Sequence, residues 1–128
     1  ALERKAFGQS ISEFQVIRHK IANMFTRVEA CRSISYRAVD EFMKHGAKAI
    51  EIVTMAKAYT CDESNKIISD AIQVHGGWGY IEDYQVARMW RDTRLYSLGA
   101  GTTEIMYEIL SKLIIDQKEH KKTIEVSR

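Results

Sequence analysis

Three clusters of residues in this chain have the types and spacing to do chemistry. The first is Arg4-Lys5-Ala6-Phe7-Gly8-Gln9, with Gln15 following eleven positions after Arg4. An arginine and a glutamine near a helix start make a phosphate or polar-cofactor clamp, because guanidinium and backbone N–H groups both donate to anionic oxygens. The plain alternative is a loop with a surface arginine. The second cluster is Gln73-Val74-His75-Gly76-Gly77-Trp78-Gly79-Tyr80. Its glycines let a backbone approach a ligand closely and leave N–H donors uncovered. It is not the dinucleotide fingerprint GxGxxG and follows no strand. It also reads as a helix C-cap with a glycine turn. His75 reads either as a general base or as a packing histidine. The third is Gly99-Ala100-Gly101-Thr102-Thr103-Glu104. Glycines and hydroxyls at a helix start suit a polar or anionic ligand. Thr102 and Glu104 also fit a capping box.

Other chemistries find no support. The two cysteines, Cys31 and Cys61, form no CxxC and no Cys/His cluster of metal-ligand spacing. They are expected to be unpaired small hydrophobes. Asp92 reads as a structural partner of an arginine. The four histidines make none of the Glu-x-x-His pairs of a di-metal bundle. A net charge of +2 argues against a nucleic-acid or anionic-membrane partner. The short basic run at His120, Lys121 and Lys122 reads as a solvated helix end or tail. No apolar run approaches the roughly 18–20 residues that span a bilayer. The start at Ala1, without methionine or signal peptide, suggests a fragment or a processed chain.

The elements that position these clusters are helical. The 128 residues, 45% hydrophobic and 28% charged, suit one globular domain. Proline is absent, which favours long uninterrupted helices. A first helix is predicted over about residues 12–44, with Ser12 as N-cap and Gly46 as stop. Its apolar stripe is Phe14, Ile17, Ile21, Met24, Val28, Cys31, Ser35, Ala38 and Phe42, and Arg18, Lys20, Arg27 and Arg32 fall on the opposite face. A second helix is predicted over about 47–75. Ile52, Ala56, Tyr59, Ile67, Ala71 and Val74 form its apolar side, and its polar middle, residues 61–66, faces solvent. A glycine loop over 77–83 leads to a short helix over about 84–91 and a less regular linker over 92–101. Thr102 or Thr103 caps a last helix that buries Ile105, Ile109 and Leu113, joined by Met106 and Leu110. Residues 118–128 read as a frayed tail. No segment alternates with period two. The expected fold is all-α: an antiparallel four-helix bundle.

Taken together and in this order, the clusters carry a resemblance. The run from Gln73 to Tyr80, then Arg91-Asp92-Thr93-Arg94, then Gly101-Thr102-Thr103-Glu104-Ile105, closely resembles the C-terminal signature of acyl-CoA dehydrogenases. Arg4-Lys5-Ala6-Phe7-Gly8-Gln9 through Phe14-Gln15 resembles the start of the same family's C-terminal domain. The resemblance covers Arg4 to about Ile115. It implies that residues 1–128 are the C-terminal helical domain, without the family's N-terminal helical and middle β-domains. It implies FAD as cofactor, an acyl-CoA thioester as substrate, an electron-transfer flavoprotein as electron acceptor, and a dimer or tetramer of like subunits. The expected reaction is oxidation of acyl-CoA to trans-2-enoyl-CoA in fatty-acid or branched-chain catabolism. The implied compartment is the bacterial cytoplasm or the mitochondrial matrix.

The resemblance also implies roles. Arg4 and Gln15 meet the pyrophosphate region of a neighbouring subunit's FAD, and Phe7 packs near it. Gln73, Val74, His75, Gly76 and Gly77 reach the adenosine side of that same cofactor. Thr102, Thr103 and Glu104 approach the FAD of their own subunit. Ala100 and Gly101 line the thioester pocket. Many family members place the catalytic glutamate immediately before the glycine that matches Gly101. Ala100 stands there instead, as in isovaleryl-CoA and long-chain members, which carry the base on an earlier helix. That helix would lie upstream of Ala1, and Glu3 is not at the matching place. The isolated chain is therefore expected to be inactive and to retain no FAD. The competing reading is a helical module for oligomerisation or interaction, without chemistry.

Overall fold

The computed structural model describes residues 1–116, and the tail expected over 118–128 lies outside them. Four helices dominate: α1 (Gln15–His45), α2 (Ile50–His75), α3 (Gln85–Tyr96) and α4 (Thr103–Ser111), which continues as a π-helical turn over Lys112–Asp116. The all-α expectation holds for everything but a two-residue hairpin. Its strands β1 (Lys5–Ala6) and β2 (Gln9–Ser10) pair antiparallel, Lys5 with Ser10 and Ala6 with Gln9. Phe7 and Gly8 turn the corner at φ of 52° and 83°. Positive φ at both central residues is the geometry that matches strand twist in two-residue hairpins. A ladder this short leaves no alternation in the sequence.

α1 starts three residues later than Ser12 suggests. Ser10 and Ser12 are engaged in the preceding 3-10 turn, Ile11–Glu13, where the Ser12 N–H donates to Ser10 Oγ at 3.3 Å. Phe14 then precedes α1 with no side-chain cap. The far end is as read. Gly46 takes φ 55° and its N–H donates to the Phe42 carbonyl.

α2 is the central element and packs against α1, α3 and α4. Its buried residues are mostly small, Thr54, Ala56 and Ala58, with Ile68, so neighbouring helices approach closely. The inward seam of α1 is Ile17, Lys20, Met24, Arg27, Cys31, Ile34, Ala38 and Glu41. These steps of three and four make the 3.5-residue period of paired helices. Lys20 and Arg27 thus lie against α2 rather than opposite it. Lys20 Nζ reaches Asp70 Oδ1 at 2.6 Å, while Arg27 reaches Glu63 at 3.4 Å and Asp70 at 3.5 Å. Their long apolar stems cover the seam while the charged heads pair at its edge. Low positions on α1 meet high positions on α2, so the pair is antiparallel. Ile21, Val28 and Phe42 fall at the exposed margin, Phe42 at 53%.

Three further expectations change. The polar middle of α2 is half-buried apart from Lys66, because Asp62 and Asn65 hydrogen-bond toward the α3–α4 connection. α3 continues to Tyr96, through half of the expected linker. Leu95 and Tyr96 point outward at 62% and 57% exposure, so its last turn shows no inward apolar stripe. On α4 the buried set is Thr103, Met106 and Leu110; Ile105 is 51% exposed, and Ile109 and Leu113 are half-buried. Both cysteines are free. Burial, and to a lesser degree the Glu63 carboxylate, raises the Cys31 thiol pKa.

Candidate functional site

The hairpin and the C-terminal end of α2 build one site. Gly76 ends α2 with φ 62°, its N–H donating to the Gln73 and Ile72 carbonyls. Arg4 lies across this end: Nη1 donates to the His75 carbonyl at 3.3 Å. The Ile11 N–H returns to the Arg4 carbonyl at 2.9 Å. Arg4, Phe7, Gln73, Val74 and Gly76 line a single cavity of about 340 Å³, with Phe14 and Ile17 on its floor. Five residues expected to hold a cofactor therefore converge from two distant stretches of sequence.

The others lie at its margin. Gln15 opens α1 with its side chain exposed, beside the lining residues Phe14 and Val16. Gly77 has nothing within 4 Å of where a Cβ would stand, which leaves its backbone approachable. His75 lines an adjoining cavity with Arg4, Val74 and Tyr84: its Nδ1–H donates to the Ala71 carbonyl at 2.8 Å, and its ring meets Tyr84 edge-on at 6.2 Å. Phe7 is 97% exposed and touches Phe14 edge-on at 6.3 Å. A phenylalanine with positive φ and a bare ring is uncommon and strained.

The second site sits at the α3–α4 connection. Thr102 is the N-cap of α4, its hydroxyl accepting from the Ile105 N–H at 3.4 Å. Thr103 is buried and donates to Asp62 Oδ1 at 3.0 Å. Glu104 has its pKa lowered, first by its own backbone N–H and then by the Thr102 hydroxyl. Thr103 and Glu104 line a cavity of about 490 Å³ with Asp62, Lys66, Arg94 and Tyr107. Ala100 and Gly101 lie outside it, in the turn before α4, with φ of 54° and 91°. Ala100 is exposed and carries no group that could take a proton. Arg94 bonds the Ser97 hydroxyl, which Asn65 also meets at 3.4 Å. Arg91 pairs two-pronged with Glu82 at 2.5 and 2.9 Å, leaving Asp92 exposed beside it.

Sequence reading missed Lys57. It is the one charged residue in positions 52–60, and that isolation was the available signal. Its Nζ donates to the carbonyls of Tyr96 and Gly101, both at 2.7 Å. Asp62 and Asn65 were also missed as partners of this connection.

The two sites do not merge. On α2, Gln73 lies roughly 10 Å beyond Lys66 and roughly 16 Å beyond Asp62 at 1.5 Å per residue, and the cavities share no residue. Among the described residues no group of three or more His, Cys, Asp or Glu could hold a metal, and no helix is long and apolar enough to cross a membrane.

The all-α antiparallel assembly, with glycine-ended helices and a hairpin beside the end of α2, defines a helical domain. The sequence profile of the acyl-CoA dehydrogenase C-terminal domain matches residues 1–115, and the chain belongs to that family. It is 38% identical over 115 residues to a subunit of the caffeyl-CoA reductase–Etf complex of Acetobacterium woodii, covering 90% of this chain and 30% of that one. It is 34% identical over 119 residues to the mitochondrial long-chain specific acyl-CoA dehydrogenase of Sus scrofa, covering 91% and 27%. The solved FAD complex of PigA superposes with a TM-score of 0.82 at 28% identity, covering 89% and 30%. The chain thus spans about 30% of the length of these proteins.

Proposed function

We propose that this chain is the C-terminal helical domain of an FAD-dependent acyl-CoA dehydrogenase and supplies cofactor-binding and subunit-contact surfaces rather than the catalytic base. The observation that carries this reading is the separation of the two sites along α2. A single cofactor bound to one copy does not need both. Two copies, each lending its hairpin site to the other's flavin, use both. In that arrangement Arg4, Phe7, Gln15 and the stretch Gln73, Val74, His75, Gly76, Gly77 face a neighbouring subunit's FAD. Thr102, Thr103 and Glu104 face the domain's own FAD, and Ala100 with Gly101 lines the thioester pocket.

The residues suit these tasks. The Arg4 guanidinium matches the charge of a pyrophosphate. Gly77 leaves room for close approach of a dinucleotide. The N-terminus of α4, capped by Thr102, offers a positive dipole end. Bound FAD supplies the acceptor for the two electrons that leave the acyl-CoA. A proton must leave the α-carbon as well. The Ala100 methyl takes none, and the resemblance to isovaleryl-CoA and long-chain members puts the base on a carboxylate upstream of Ala1. Electrons then pass to an electron-transfer flavoprotein, a reading supported by the Etf complex named for the Acetobacterium relative. Bacterial cytoplasm and mitochondrial matrix both suit such an enzyme. The outer face of α1, with Tyr36 at 69%, Val39 at 60% and Met43 at 79% exposure, supports assembly with other domains or copies.

The test is anaerobic mixing of the purified full-length flavoprotein with acyl-CoA thioesters. Loss of flavin absorbance, abolished by replacing one upstream glutamate, is the expected result. A full-length protein that binds no flavin contradicts the reading. Stoichiometric flavin and turnover by residues 1–128 alone contradict the division of labour.

A further inference from the structure

We propose that Lys57 is a positioning residue whose ammonium fixes the turn carrying Ala100 by tying together the two helix ends that bracket it. The inference rests on the dehydrogenase reading, in which that turn borders the thioester. Tyr96 is the last residue of α3, and Gly101 stands two residues before the start of α4. Lys57 Nζ donates to both carbonyls at 2.7 Å. The Tyr96 carbonyl is among the last four of a helix, which lack intrahelical partners and form the negative end of its dipole. A cation is the group that satisfies it best.

The turn needs an external tie. It is closed at its base by the Thr103 N–H to the Ser97 carbonyl at 3.1 Å. Between them the backbone passes through Ala100 at φ 54°, a conformation that an alanine leaves readily when free. The opposite flank is held separately, by Asp62 accepting from the Thr103 hydroxyl at 3.0 Å. Lys57 and Asp62 therefore hold the turn from two places on α2, one grasping backbone and the other a side chain. Lys57 is half-buried and stands between buried Ala56 and Ala58. Its helix packs against α1, α3 and α4, which holds the ammonium in place beside the turn. Displacement of a substrate-facing turn by about 1 Å costs about a hundredfold in rate when the reaction depends on orientation.

The experiment uses the full-length flavoprotein with Lys57→Met and Lys57→Arg. Methionine keeps the stem and removes every donor. Arginine keeps the charge and has donors enough for both carbonyls. Four quantities are read: flavin content, melting temperature, reduction by dithionite, and the rate of flavin reduction by saturating butyryl-, isovaleryl- and palmitoyl-CoA. Lys57→Met is expected to keep flavin and dithionite reduction while slowing substrate reduction about tenfold to a hundredfold. Lys57→Arg is expected to recover most of that loss. Parental rates in Lys57→Met overturn the proposal, as does an arginine variant as slow as the methionine one. Loss of flavin and fold in Lys57→Met also overturns it, since Lys57 is then general scaffold. A parent enzyme that no thioester reduces sinks the dehydrogenase reading itself, a result distinct from all of these.

Discussion

Arg4 reaches the His75 carbonyl across seventy-one positions of sequence, and its Nη1 stands 3.1 Å from where a Cβ on Gly76 would be. The guanidinium packs on the bare backbone of the α2 terminus, so the hairpin is held to the helix by a contact that a side chain at position 76 would crowd.

Gly76 and Gly77 should separate fold from ligand. Gly76→Ala forces a side chain onto φ 62° and pushes Arg4 aside, with an expected loss of about 1–2 kcal/mol in denaturant unfolding. Gly77→Ala meets nothing within 4 Å and is expected to leave stability within about 0.5 kcal/mol or raise it. If Gly77→Ala nonetheless empties the full-length protein of flavin, the ligand approaches that backbone. Full flavin content in this variant would remove Gly77 from the cofactor contacts.

The charged seam between α1 and α2 should matter more than the charges on its outer face. Asp70 accepts from Lys20 at 2.6 Å and faces Arg27 at 3.5 Å, each side chain close to 30% exposed. Asp40 and Lys44 pair at the same 2.6 Å but are 57% and 58% exposed. Asp70→Ala strands half-buried Lys20 and leaves Arg27 with Glu63 alone, with an expected cost of about 1 kcal/mol. Asp40→Ala should cost less than about 0.5 kcal/mol and fade with added salt. Equal effects of the two substitutions on the unfolding midpoint would contradict this ordering.

What the sequence made legible was local. Gly46 and Gly76 announce helix ends because a positive φ is a property of one residue, and Thr102 announces a start because its hydroxyl serves its own helix. The seam positions of Lys20 and Arg27 were hidden by their charge. Only the opposing Asp70 and Glu63 reveal that the long stems lie inward. The last turn of α3 was hidden for the opposite reason, since Leu95 and Tyr96 are apolar yet point outward. Phe7 and Gly8 make too small a hairpin to leave a period. The three chemical clusters were visible as residue types, but their distribution over two sites follows from the length of α2. Lys57 bonds two backbone carbonyls, and carbonyls have no sequence signature.

The start of α4 should weaken in acid. Glu104 has its pKa held below the ordinary glutamate value by its own N–H and the Thr102 hydroxyl. A depressed carboxylate contributes stability that is present above its unfolded pKa and is lost as pH falls through the folded one. The first turn of α4 is therefore expected to loosen below about pH 4.5, the ordinary value. Thr102→Ala removes the N-cap and one of the two donors. It should cost about 1 kcal/mol near neutral pH and move the Glu104 titration upward in a carboxyl-carbon NMR experiment. An unchanged midpoint in that variant would show that the hydroxyl does not hold the carboxylate.

Ala100 offers a graded test of the turn before α4. Its φ of 54° suits glycine, strains alanine and excludes most β-branched residues. Its side chain is exposed, so substitutions change the backbone preference and little else. Ala100→Gly relieves the left-handed strain but gives the unfolded chain more freedom, for a net gain of up to about 1 kcal/mol. Ala100→Val should lose about 1–2 kcal/mol. Stability should thus fall in the order glycine, alanine, valine. In the enzyme the same series separates strain from chemistry: if the turn must hold its left-handed shape against the substrate, Ala100→Gly gains stability while slowing flavin reduction, because the freed turn is no longer fixed. Valine as stable as alanine would mean that the backbone here relaxes out of the left-handed region, and the neighbouring Lys57 contacts would then have no strained turn to hold.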